Sequence, residues 1–132
     1  MATEDLMPAR PRRILIVDDN ADAAKLLEMN LAAAGHSVSV AKDGNTALSA
    51  AASAPPEVVI LDIGMAEMSG YEVARKLRSS AATERALLIA VTGWAGEGNR
   101  QRAMEAGFDH HFAKPVKTSE LLAAIDDYGK IA

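Results

Sequence analysis

Cysteine is absent from this chain, which removes disulfides, thiolate nucleophiles and cysteine-rich zinc sites together and fits a cytoplasmic setting. No apolar run approaches the ~20 residues needed to cross a bilayer, and Met1 to Arg13 lacks the apolar centre of a signal peptide. Membrane insertion is therefore not expected. An excess of positive charge is also missing. The formal net charge of −4 disfavours a nucleic-acid surface. Arg10, Arg12 and Arg13 form a local basic cluster among prolines, which reads as a solvated leader and not as a binding arm.

What remains is 132 residues, of which 49% are hydrophobic, enough for one core and one domain. A disordered tail is expected over residues 1–12 and a single domain over 13–132. Short, almost wholly apolar runs recur, and each is followed by a stretch of helical periodicity, as in parallel strands joined by crossover helices. The strands fall at Ile14–Val17, Ser37–Val40, Val58–Leu61, Leu87–Val91 and Asp109–Ala113. The second alternates polar and apolar residues and the fifth is polar, so both are placed at sheet edges.

Leu26, Leu27, Leu31 and Ala34 recur at helical spacing until Gly35 supplies a cap. Asp43-Gly44 opens a second helix that Pro55-Pro56 must end. Ser69 and Glu72 have the spacing of a capping box before a helix that buries Val73 and Leu77. A polar helix follows from about Glu97 to Ala106, closed by Gly107. The last helix carries Leu121, Leu122, Ile125 and Tyr128 on one stripe. The expected fold class is α/β, flavodoxin-like: a doubly wound five-stranded parallel sheet, order 2-1-3-4-5, with helices on both faces.

Polar residues stand just beyond four of these strands. Asp18 and Asp19 follow Val17, Asp62 follows Leu61, Thr92 follows Val91, and Lys114 follows Ala113. Strand ends of a parallel sheet share one edge, and ligands bind there where the strand order reverses. Three carboxylates at close quarters repel unless a cation joins them. An all-oxygen donor set favours Mg²⁺, with Mn²⁺ as an alternative, and such an ion keeps positions open for phosphate oxygens. Lys114 supplies a positive charge and Thr92 a hydroxyl donor, both suited to an incoming phosphoryl group.

With Asp18-Asp19, Asp62, Thr92 and Lys114-Pro115 at strand ends, the chain from about Arg13 onward resembles the response-regulator receiver family of two-component signalling, CheY-like. The stretch Gly107 to Pro115 is similar to receivers attached to hybrid histidine kinases. The resemblance implies a signalling domain that phosphorylates and dephosphorylates itself without an external turnover substrate. Its donor would be a histidine kinase or a histidine phosphotransfer protein, and its output would pass to a downstream protein target without direct nucleic-acid binding. Asp62 would be the phosphoacceptor. Asp19, Asp62 and the Gly64 backbone carbonyl would bind the metal directly, and Asp18 through water. Lys114 and Thr92 would contact phosphoryl oxygens, and Pro115 would follow a cis peptide bond. Gly64 and Trp94 would flank the path of the hydrolytic water. Neither offers a base or an acceptor for that water, so slow hydrolysis is expected.

Two departures from the family pattern stand out. Ala66 occupies a position where proline is common, and His111 occupies the place of a switching aromatic. Some residues also have plainer roles. Asn20 caps a helix, and His110 and His111 are strand neighbours that face opposite ways and cannot easily share an ion. A haloacid-dehalogenase-like hydrolase would need a second Asp two residues after the first, where Asn20 stands. A flavodoxin-like flavin module would need a Ser/Thr/Gly phosphate loop, where Asp18-Asp19-Asn20 would repel the phosphate.

Overall fold

Residues 11–65, 68–93 and 97–131 are described by a computed structural model. The elements in chain order are β1 (Arg13–Val17), α1 (Ala21–Ala33), β2 (Ser37–Ala41), α2 (Gly44–Ser53), β3 (Val58–Asp62), α3 (Gly70–Arg78), β4 (Leu87–Thr92), α4 (Glu97–Ala106), β5 (His110–Ala113) and α5 (Thr118–Ile131). The five strands are parallel in the order β2-β1-β3-β4-β5, as expected from the polarity of the second and fifth.

Strand alternation sorts the apolar residues into two layers. Leu15, Val17, Val59, Leu61, Leu88 and Ala90 pack beneath side chains of α2, α3 and α4. Their neighbours Ile14, Ile16, Val58, Ile60, Ile89 and Val91 face α1 and α5, where Leu31, Leu121 and Ile125 complete the second layer. β3 and β4 are apolar on both faces because both are covered, whereas β2 is largely exposed. Leu26, although on the helical spacing of α1, lies off the buried stripe and is 62% exposed.

Local chemistry sets the helix ends. Side chains of Asn20, Asp43 and Ser69 accept from the N–H groups of Ala23, Thr46 and Glu72 at 3.1, 2.7 and 3.3 Å, satisfying donors the first helical turn leaves over. Gly35 and Gly107 take φ of 104° and 109° after α1 and α4, a region that disfavours any Cβ. Gly70, the first residue of α3, serves a different purpose. A Cβ there would stand 2.9 Å from Ile63 Cα and 3.1 Å from Asp62 O, so glycine lets α3 begin against the end of β3.

Arg12 corrects the tail assignment. It is buried, and its Nη1 meets Glu57 Oε2 at 2.9 Å. Its guanidinium lies 5.4 Å from the centroid of the Tyr128 ring, and its backbone N–H donates to His36 Nδ1 at 3.0 Å. Ordered chain therefore precedes β1; residues 1–10 lie outside the described residues. His36 can accept that hydrogen bond only when neutral. Burial lowers its pKa below the ordinary 6.5, Arg12 adds to this, and Asp126 opposes it. The unfolded chain therefore takes up a proton first on acidification. Stability is whole above the ordinary value and falls as the pH drops through it. Urea unfolding between about pH 7 and 5, the window of histidine titration, should show this loss. His36→Gln should flatten it, leaving the part due to His111, whose pKa is lowered by burial and by Arg100. An unchanged slope in the variant rules out His36 as a source.

Candidate acidic site at the sheet edge

Two neighbouring strands deliver the carboxylates. Asp18 leaves the end of β1 with its N–H bonded to Ala41 O at 3.1 Å, and its Oδ1 accepts from the Asn20 N–H at 2.9 Å. Asp62 is the last residue of β3, and its Oδ1 accepts from the Gly64 N–H at 3.0 Å. Because β1 and β3 pair in parallel with Val17 opposite Leu61, both side chains emerge at one edge. Asp19 stands beside them and is exposed. One ligand oxygen from each of Asp18, Asp19 and Asp62 lies within 4.8 Å of the others.

The cation opposite them comes from β5. Lys114 Nζ stands 3.2 Å from Asp62 Oδ2 and 3.7 Å from Asp18 Oδ2. Its backbone N–H donates to Thr92 O at 2.8 Å, fastening it to the end of β4, and the Lys114–Pro115 peptide is cis. Asp18 and Asp62 side chains are 12% and 11% exposed, against 35% for Lys114, so the negative charges are the more withdrawn from water. The Asp18 pKa is raised, first by burial, with Asp62 adding its like charge, while the Asn20 N–H and Lys114 pull the other way. Burial is thus the main cause of the shift, while three carboxylates stand against the single ammonium of Lys114. A site with excess negative charge, only oxygen donors and partial exposure suits a hard divalent cation.

Thr92 is buried at the end of β4, beside Ala113 in the register. His111 of β5 pairs with Ala90 of β4, and its Nε2 is buried without a hydrogen-bond partner among the described residues. His110 stacks on Phe112 with ring centroids 6.0 Å apart, so these two share a face and His111 takes the other. Trp94 and Ala66 lie outside the described residues. Sequence reasoning passed over Gly70, although a glycine at the first turn of a helix, where alanine would be the better helix former, signals a close approach.

The family model described as response regulator receiver domain matches residues 14–126. The chain is 37% identical over 113 residues to the response regulator PleD of Caulobacter vibrioides, covering 86% of this chain and 25% of that protein. It thus spans a quarter of that relative's length. Among solved structures it is similar to the Vibrio cholerae chemotaxis protein CheY4, with TM-score 0.85 and 25% identity over 90% of this chain and 99% of that one. A Burkholderia pseudomallei response regulator, described as carrying a phosphorylated aspartic acid and a calcium ion, matches with TM-score 0.81 and 26% identity, covering 91% of this chain and 70% of that one.

Proposed function

This chain belongs to the response regulator receiver domain family, of the phosphoacceptor kind, and from that premise we propose that Asp62 accepts a phosphoryl group from a phosphohistidine donor in a Mg²⁺-dependent reaction. The observation that carries the reading is the pairing of Lys114 Nζ with Asp62 Oδ2 at 3.2 Å beside Asp18 and Asp19. The phosphorylated aspartate and cation named for the Burkholderia relative support it by similarity.

Asp18, Asp19, Asp62 and the Gly64 carbonyl would hold the ion, which supplies neutralisation of phosphoryl oxygens when bound. The Asp62 carboxylate acts as the nucleophile, with its second lone-pair region held by the Gly64 N–H. Lys114 turns its ammonium from the carboxylates to an incoming phosphoryl oxygen, and the Thr92 hydroxyl donates a hydrogen bond to another. Gly64 brings no side chain to the attacking water, so hydrolysis proceeds without help from that position.

The donor is a histidine kinase or phosphotransfer protein and the output a protein contact. No helix among the described residues is long and apolar enough to cross a membrane. Incubation with acetyl phosphate should add one phosphoryl group with Mg²⁺ and none after chelation, and the label should persist longer than in Gly64→Asn. Among the described residues a Cβ at Gly64 would meet only Asp62 Oδ1, at 3.7 Å, an ordinary contact that permits that variant. Equal labelling with and without divalent cation sinks the metal role, and equal decay sinks the argument from Gly64.

A further inference from the structure

Between α1 and α5 a cleft of about 500 Å³ runs up to the acidic edge. Ile16, Ile60 and Val91, strand residues of the α1/α5 face that come just before the site, lie at its base and are themselves buried. Leu26 and Leu27 of α1 and Val116 of the β5–α5 connection supply apolar lining, and Ala23 contributes only a methyl where a larger side chain would narrow the space. Asn30 Nδ2 donates to Thr118 Oγ1 at 3.3 Å, tying the two helices together at residues that also line the cleft. Asp18, Asp62 and Lys114 line it as well. One continuous space thus joins an apolar wall to the phosphoacceptor and its cation, complementary to an amphiphile with a phosphate at one end and an alkyl or aryl group at the other.

We propose that this cleft admits acyl phosphates with apolar acyl groups of about four to six carbons, so that such small donors phosphorylate the chain more readily than acetyl phosphate does. The proposal rests on Asp62 being the phosphoacceptor. A carboxylate oxygen of Asp62 forms the new bond to phosphorus, and the bond from phosphorus to the acyl oxygen breaks. Its electron pair leaves with the acyl group as a free carboxylate. No oxidant, reductant or proton is needed, and Mg²⁺ is the only added component. Each methylene moved from water into an apolar wall is worth about fourfold in binding, and binding of this kind raises kcat/KM.

The test measures the second-order rate of phosphorylation of the whole chain, with Mg²⁺, by acetyl, butyryl and hexanoyl phosphate. Butyryl phosphate should exceed acetyl phosphate by about fifteenfold, from two added methylenes at about fourfold each. In Ala23→Phe, which fills the cleft, that ratio should fall toward one. Independently of reaction, butylphosphonate should give saturable methyl shifts at Leu27 and Val116 that methylphosphonate does not. Equal rates for the three donors, or shifts elsewhere, overturn the proposal. So does a flat donor series combined with an Ala23→Phe defect confined to phosphohistidine protein donors, which assigns the cleft to a partner's side chain. Those results leave Asp62 as acceptor; failure of every donor, protein or small molecule, to label Asp62 instead defeats the underlying reading.

Discussion

Asp62→Asn is expected to reduce phosphoryl transfer to background from any donor while leaving the fold in place. The amide keeps the size of the carboxylate and an oxygen for the Gly64 N–H, which donates to Asp62 Oδ1 at 3.0 Å, but it lacks the anionic oxygen that attacks phosphorus. One negative charge also leaves a crowded site. Asp62 helps raise the Asp18 pKa, so that pKa should fall toward its ordinary value of 3.8 and stability without metal should hold or rise. Mass spectrometry after incubation with acetyl phosphate and Mg²⁺, paired with urea unfolding, reads both effects. Undiminished labelling of the variant would falsify Asp62 as the acceptor.

The largest loss of stability is expected from Arg78→Ala, far from the acidic edge. Arg78 ends α3 and uses every nitrogen of its fork. Nε donates to Gly107 O at 2.9 Å, Nη1 to Glu84 O at 2.8 Å and Ala86 O at 2.6 Å, and Nη2 to Asp109 Oδ2 at 2.7 Å. Asp109 Oδ2 in turn accepts from the Leu88 N–H at 2.9 Å. The guanidinium thus joins the end of α3, the connection into β4 and the approach to β5, the strand that leads to Lys114. Truncation leaves the part-buried Ala86 and Gly107 carbonyls and the Asp109 carboxylate without this donor. With hydrogen bonds to a charged group worth ~1.5–3 kcal/mol each and partial solvent rescue at Glu84 and Asp109, the net loss should be about 2–4 kcal/mol. Arg78→Lys keeps the charge without the fork and should recover less than half of it. Urea midpoints for the three proteins decide the matter. A loss under about 1 kcal/mol for alanine would show that water replaces the fork.

Arg78 also marks a boundary of what could be read from the chain. On the sequence it is one basic residue among three in the last turn of a polar helix face, indistinguishable from Arg75 and Lys76. Its acceptors lie up to 31 residues away, and nothing local announces them. Arg12 is similar. Prolines and neighbouring arginines placed it in a solvated tail, while His36 before β2, Glu57 before β3 and Tyr128 of α5 converge on it. Leu26 fits the helical spacing of α1 yet is exposed, because periodicity fixes only relative positions around a helix and the docking of α1 decides which arc meets the sheet.

The elements themselves, the caps at Asn20, Asp43 and Ser69, and the glycines after α1 and α4 were legible because capping and backbone strain involve residues within a few positions of one another. Strand order was legible for a related reason: covered strands must be apolar on both faces, and β2 and β5 are not. The grouping of Asp18, Asp19, Asp62 and Lys114 could also be read before any coordinates, since residues just beyond parallel strands meet at one edge. Their distances could not, because whether Lys114 Nζ reaches Asp62 at 3.2 Å depends on the register of β5 against β4 and on the rotamers the packed edge allows. The cleft between α1 and α5 belongs wholly to tertiary structure. Its existence depends on how far two helices from opposite ends of the chain stand apart, and that separation follows from packing all of their side chains against one sheet face.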